Sequence, residues 1–274
     1  MSKLIKIIIL VLVSVGLVGC KTVKTTQGGA IGIERKQKMI SFVSAEKIEK
    51  EYAKSYNATI DKAKQDNELD KTSINAKRLD AIATRLIPHV KVFRQDALKW
   101  DWQVNLIKNE QLNANCGPGG KIIFYTGIIE QLNLTDDEIA AVMGHEMAHA
   151  LREHGREGFS KAYGAQIAGQ LATLLGAPKQ AVDIAGTGVN YLMLLPNSRE
   201  NENEADLIGL ELMARAGYNP NAAVNLWRKM NSASGGKAPP EFMSTHPSSS
   251  NRITSLQKNI PKVMPFYNQA KMRR

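Results

Sequence analysis

Residues 145 to 154 read HEMAHALREH, which places three histidines and two glutamates in one short stretch. If the stretch is helical, His145 and His149 are four residues apart and project from one face, a turn apart. Both imidazoles then reach a single metal ion. Glu146 follows directly, displaced by about 100° round the axis, which keeps it off the metal but near a water beside it. Two histidines do not complete a metal site, so the fold must deliver a third ligand from elsewhere. Thr135 with Glu138 three residues later forms a capping-box signature for the start of this helix, and Gly155 marks its expected end.

The third ligand could lie inside the stretch or beyond it. His154 is nine residues after His145, a rotation of about 180°, so on a continuous helix it faces away and reads as a solvated helix-end residue. The metzincin pattern needs a glycine after the second histidine and a third histidine ten residues after the first. Arg152 and Gly155 stand in those two places. Further along, ENEAD supplies Glu202, Glu204 and Asp206. Glu202 and Asp206 are four apart and share a helix face, while Glu204 lies about 200° from Glu202 and points elsewhere. One face thus offers both a metal ligand and a carboxylate to orient a ligating histidine. The expectation is zinc on His145, His149 and Glu202, with Asp206 on a histidine ring nitrogen. Glu146 is then the general base that takes a proton from water and returns it to a leaving amine, the arrangement of metal-assisted peptide hydrolysis.

The rest of the chain reads as α+β and mostly helical. Aromatics make up 6% of the 274 residues, which favours helices built on Ala, Leu, Ile and Met over a β-sandwich. Helices are expected over 45–65, with Ile48, Tyr52, Tyr56 and Ile60 on its apolar face, and over 74–87, stopping near Pro88. Trp102 to Asn109 alternates as a half-buried strand, and Lys121 to Thr126 is a second strand after the Gly117–Gly120 turn. Residues 156–195 read as packed helices broken at Gly176–Pro178. Helices follow over 199–216, closed by Gly217, over 221–230, and over 249–258. His246 falls on a loop. Three roles stay open for its imidazole: donor to a developing oxyanion, fourth zinc ligand that displaces the water, or surface residue.

The first nineteen residues have a basic start at Lys3 and Lys6, an apolar run from Ile7 to Val18 and a small-residue ending, the pattern of a secretory signal. LVGC, residues 17 to 20, resembles a bacterial lipobox, which implies acylation of Cys20. Lys21 after it resembles the outer-membrane sorting pattern. Residues 20–44 then read as a lipidated tether, 45–260 as the folded domain and 261–274 as a tail. With Cys20 acylated, Cys116 has no partner for a disulfide and reads as a small buried apolar residue. The net charge of +10 suits an anionic membrane face, and nucleic acid is not expected as a partner of an exported chain.

HEMAH followed by ENEAD resembles the gluzincin metallopeptidases of the CaaX prenyl protease and HtpX type. With the lipobox, the chain most resembles their soluble periplasmic lipoprotein branch, that of BepA and LoiP. The resemblance extends from about Ile31 to Leu256. It includes NAN (Asn113 to Asn115), PGG (Pro118 to Gly120), YTG (Tyr125 to Gly127) and THP (Thr245 to Pro247). It implies a zincin-like zinc endopeptidase with one zinc per chain, whose small sheet holds substrate along an edge strand before the HExxH helix. The residues expected to meet substrate are Asn113, Ala114, Ile122 and Phe124, with Lys121 to Thr126 as the open edge. An edge binds an extended peptide through its backbone and reads no sequence, so unfolded chains are the expected partners. The resemblance also implies quality control of misfolded or misassembled envelope proteins, near the outer-membrane assembly machinery. The competing class is a chaperone-like module that holds chains in the same groove and rarely cuts. In the peptidase reading the catalytic set is Glu146 and Asp206, with His246 as its third candidate in one of the three roles left open above.

Overall fold

The computed structural model describes residues 20–174, 197–233, 241–246 and 250–273. In chain order the strands are β1 (Cys20–Val23), β2 (Gln37–Ile40), β3 (Leu69–Asp70), β4 (Gln103–Ile107), β5 (Ala114–Gly117) and β6 (Lys121–Tyr125). The helices are α1 (Ala45–Gln65), α2 (Ile74–Leu86), α3 (Thr126–Gln131), α4 (Asp136–Leu151), α5 (His154–Leu174), α6 (Arg199–Arg215), α7 (Asn221–Ala233), α8 (Glu241–Thr245) and α9 (Ser250–Met272). Helices dominate, with small sheets, so the fold is α+β as the sequence implies. Among the described residues no helix is long and apolar enough to cross a membrane.

The central sheet has the order β3-β4-β6-β5. β4 and β6 run parallel, from Gln103 opposite Lys121 to Ile107 opposite Tyr125. β5 returns antiparallel on the outside, with Ala114 opposite Phe124 and Gly117 opposite Lys121. This corrects the expected edge. Lys121 to Tyr125 is paired on both sides, and Ile122 and Phe124 are wholly buried. A β-branched and aromatic run belongs where both faces are covered, whereas the short NANCG segment carries the edge that is free among the described residues, without an apolar signal.

Both faces of the sheet are in fact covered, which also revises the half-buried reading of β4. Leu106, Ala114, Ile122 and Phe124 join the main core, while Ile107 and Ile123 pack on Tyr52, Tyr56 and Ile60 of α1. Asn105, expected to face solvent, is buried and donates to the Tyr56 hydroxyl.

α4 starts as the sequence requires. The Thr135 side chain accepts from the Glu138 backbone, and the Glu138 side chain accepts from the Thr135 backbone. Every residue from Glu138 to Leu151 is buried, so α4 runs through the middle of the core. It packs on α6 at Gly144 and Gly209 with nothing between the backbones. A Cβ on Gly209 would stand 2.7 Å from the His145 nitrogen and 2.8 Å from the Gly144 carbonyl carbon. This contact decides how near the two motifs come.

Two ends of the chain differ from expectation. Residues 20–44 are no tether. β1 and β2 pair antiparallel, and Thr26, Gln37, Met39 and Ile40 are buried. The polar character that suggests a solvated segment serves buried charge instead: Arg35 pairs with Glu157 at 2.6 Å and with Glu204 at 2.5 Å. The expected tail is the second half of α9, which continues through Pro261 and Pro265 to Met272. Each proline gives up one helical hydrogen bond, and tertiary contacts keep the helix going: Val263 is buried and the Arg215 guanidinium lies 3.7 Å from the Phe266 ring centre. The expected signal (1–19) and the expected break at Gly176–Pro178 lie outside the described residues; α5 runs as one helix up to Leu174.

Gly209→Ala is expected to lower stability by about 1–3 kcal/mol, because the methyl meets the α4 backbone at Gly144 and His145, which cannot rotate away. Gly158→Ala on α5, where an added methyl has nothing within 4 Å, is expected to be neutral or slightly stabilising. Urea unfolding of the two variants checks this; equal midpoints would contradict the close approach.

Candidate metal centre

α4 presents His145, Glu146 and His149; α6 presents Glu202 and Asp206 from one face; α8 ends just before His246. All are buried. His145 Nε2 and His149 Nε2 are 3.0 Å apart. Glu202 Oε1 is 3.3 Å from His149 Nε2, and Glu202 Oε2 is 3.4 Å from His145 Nε2. Zinc held at about 2.0–2.2 Å by tetrahedral N and O donors needs ligand atoms a little over 3 Å apart. The spacing therefore fits the metal, and so does the donor chemistry of two imidazoles and a carboxylate. His246 joins the same group: its Nδ1 lies 3.2 Å from His145 Nε2 and 3.0 Å from Glu202 Oε1.

Glu146 stands beside this group and not in it. Its Oε1 is buried with no hydrogen-bond partner among the described residues; His246 Nε2 is 3.4 Å away. Burial raises the Glu146 carboxyl above its usual range, against the opposing pull of His246 and His145. A carboxylate so shifted is a stronger base than an exposed one and is suited to accept and return a proton.

Asp206 Oδ1 accepts from His145 Nδ1 at 3.0 Å, which leaves His145 Nε2 for the metal. Asp206 is itself held by Arg252, whose Nε and Nη2 reach its two oxygens at 2.6 and 2.7 Å. Arg252 Nη1 also lies 2.6 Å from Glu202 Oε2, and its guanidinium sits 3.6 Å from the Trp227 ring centre. Burial opposes ionisation of both carboxyls. For Asp206 the Arg252 charge outweighs burial, and for Glu202 the histidines do, so both lie below the usual range. Burial likewise opposes a charged His145, yet its bonds to Asp206 and Glu202 lift it to about 9. Burial carries His149 well below the usual range, with Glu202 pulling the other way.

Two expectations are corrected here. His154 is not solvated. α4 ends at Leu151, Glu153 takes a left-handed φ of 53°, and α5 begins at His154, which turns back into the interior. The continuous helix that would carry it outward stops early. His246 is 6% exposed, which removes the surface role and leaves the oxyanion donor and the fourth ligand. Glu204 does point away from the metal group, as its spacing predicts, and accepts from Arg152, Arg35 and His154. Arg252 is absent from the sequence reading. It follows His246 by six residues in a stretch with no motif, and its only sequence signal is a lone cation in NRITSL.

A cleft of about 310 Å3 opens onto Glu146, His149 and His246. One wall is the free edge, Asn113 to Gly117, and another is the Ile48 and Tyr52 face of α1. Of the expected substrate residues, Asn113 and Ala114 line the cleft, while Ile122 and Phe124 do not and are buried in the main core from β6. Cys116 is a free, buried thiol on the same wall, and Cys20 opens β1.

The sequence model of peptidase family M48 matches residues 73–260. The mitochondrial metalloendopeptidase OMA1 of Saccharomyces cerevisiae is 35% identical over 180 residues, 64% of this chain and 51% of that protein. The human metalloendopeptidase OMA1 is 30% identical over 176 residues, 60% of this chain and 33% of that protein. The beta-barrel assembly-enhancing protease of Escherichia coli is 25% identical over 201 residues, 70% of this chain and 40% of that protein. The chain thus spans about half, or less, of the length of these relatives. Identity to the mitochondrial proteins exceeds that to the bacterial one, which points away from the expected periplasmic, outer-membrane-anchored lipoprotein. That expectation rested on the composition of the N-terminal twenty residues, and the matched region starts well beyond them.

Zinc affinity is expected to rise with pH. His145 keeps its proton up to about 9 and must release it before Nε2 can bind a metal. Glu202 and Asp206, shifted down, and His149, also shifted down, add no proton to displace near neutrality. Affinity should therefore fall about tenfold per pH unit below 9 for this one proton. Chelator competition from pH 6 to 8 checks it; a flat profile would contradict the assignment.

Proposed function

This chain belongs to peptidase family M48, and from that membership we propose that it is a zinc endopeptidase acting on extended segments of misfolded or misassembled proteins. The observation that carries the reading is one cleft lined by the outer strand β5, by Glu146, whose Oε1 has no hydrogen-bond partner among the described residues, and by His149, whose ligand atom clusters with those of His145 and Glu202 behind it.

Each part has a chemical task. When bound, zinc supplies Lewis acidity that activates a water and polarises a carbonyl. His145 and His149 would hold it through Nε2 and Glu202 through a carboxylate oxygen. Glu146 accepts the proton of the attacking water at Oε1 and delivers it to the leaving amine. Asp206, fixed by Arg252, holds the His145 ring in the tautomer that faces the metal. The β5 backbone, with Asn113 and Ala114 at its start, would bind an extended chain by strand addition, which selects for unfolded substrate and not for sequence.

His246 favours a second reading in which the centre holds chains and cuts little. Its Nδ1 is packed among the ligand atoms while its Nε2 lies toward Glu146, so the ring covers the path between base and metal group. In that position it would act as a fourth ligand and close the site to water.

Glu146→Gln is expected to leave zinc bound and to lower cleavage of an unfolded protein such as casein by about 10²–10⁴-fold. His246→Ala should also keep zinc and should raise cleavage. Unchanged cleavage in Glu146→Gln sinks the peptidase reading. A loss in His246→Ala with zinc retained gives that ring the oxyanion role instead.

A further inference from the structure

The two metal-facing histidines of α4 differ in what holds their outer nitrogens. His145 Nδ1 meets Asp206 directly at 3.0 Å. Among the described residues His149 Nδ1 has no carboxylate against it and meets another imidazole: His154 Nδ1 is 2.9 Å away, with the rings nearly perpendicular at 73°. On the far side of that ring, His154 Nε2 is 3.2 Å from Glu204 Oε2. His154 is 1% exposed, so water does not compete for either nitrogen.

Donor and acceptor bookkeeping settles the direction of this chain of bonds. Glu204 takes hydrogen bonds from Arg152 Nε and Nη2 at 2.9 and 2.7 Å and from Arg35 Nε and Nη2 at 2.5 and 3.0 Å. Between two guanidinium groups it is an ionised carboxylate and can only accept. His154 Nε2 must then carry the hydrogen. In a neutral imidazole the other nitrogen is an acceptor, so His154 Nδ1 accepts and His149 Nδ1 donates. His149 Nε2 is left with its lone pair, and it faces His145 Nε2 and Glu202. With the bonds reversed, His149 Nε2 would hold a hydrogen and could not bind a metal.

We propose that His154 is a positioning residue of the metal centre, relaying the His149 ring to the Glu204 carboxylate and so fixing the tautomer and angle in which His149 binds zinc. The ENEAD segment then serves both histidines: Asp206 orients His145 directly, and Glu204 orients His149 through one intervening ring. The left-handed residue Glu153 is what makes this geometry available, because it folds the start of α5 back over the end of α4. Around the relay, Arg35 and Arg152 donate to Glu204, Arg35 also donates to Glu157, and Gln37 donates to Glu157 and to the Arg152 carbonyl. The inference rests on the metal reading given above.

The test measures zinc affinity of the full chain by competition with a chromophoric chelator, for wild type, His154→Leu and His154→Asn. Leu fills the space and removes both nitrogens. The Asn side-chain oxygen offers an acceptor near the place of Nδ1. Loss of such an orienting partner typically weakens metal binding 10–100-fold, and that loss is expected for Leu, with Asn recovering most of it. The Co(II)-loaded proteins give a second readout: Leu should shift the visible ligand-field bands and Asn should leave them near wild type. Circular dichroism establishes that each variant is folded. If folded His154→Leu binds zinc and displays cobalt bands like wild type, the relay is wrong while the metal site stands. If both variants lose affinity equally and in step with their stability, His154 is a packing residue and the relay is again wrong. If wild type binds no zinc, both this inference and the metal reading fall.

Discussion

The metal centre depends on two helices meeting backbone to backbone. Packed helices ordinarily stand about 8–10 Å apart, held off by side chains. Gly144 and Gly209 remove those side chains where α4 crosses α6, immediately beside His145. The short reach of a histidine and a glutamate then suffices to bring Nε2, Nε2 and a carboxylate oxygen within ligand spacing. A methyl on Gly209 would push against the backbone that carries His145. The same contact that closes the core therefore sets the distance between the HEMAH and ENEAD motifs.

Burying that much charge dictates much of the remaining architecture. A carboxylate removed from water costs several kcal/mol unless it is paired, and α6 buries Glu202, Glu204 and Asp206 within five positions. The compensating cations come from distant parts of the chain. Arg252 arrives on α9 to hold Glu202 and Asp206, Arg152 arrives at the end of α4, and Arg35 arrives on the N-terminal segment to hold Glu204 and Glu157. Both ends of the described chain are thus bound to the centre by charge. That explains why a basic, glycine-punctuated segment packs as part of the domain, and why α9 tolerates two prolines: each carries groups the interior needs. It also links dynamics to function, since loosening the Arg35 segment would loosen Glu204, and through it His154 and His149.

Much of this was legible in the sequence where local rules act alone. The capping box at Thr135, the four-residue spacing of His145 and His149, the shared face of Glu202 and Asp206, and the apolar face of α1 follow from helical geometry. The rest needed tertiary information. His154 was misplaced because one left-handed residue, Glu153, ends a helix that periodicity would continue. The edge was assigned to Lys121–Thr126 because strand propensity marks a strand without revealing its neighbours; the edge belongs to Asn113–Gly117, which has little propensity at all. Arg252 and Arg35 carry no signal, since a buried cation looks like a surface one until its partners are known. Gly144 and Gly209 are invisible for a similar reason: a glycine in a helix reads as a weakness until another backbone is seen against it.

The central claim is that His145, His149 and Glu202 form one zinc site, and metal content tests it most directly. Zinc per chain, measured by elemental mass spectrometry on purified wild type and Glu202→Ala, is expected to be about one in the wild type, as a three-ligand catalytic site requires, and close to none in the variant. Absence of zinc from the wild type, or full retention by a folded Glu202→Ala, would contradict the account.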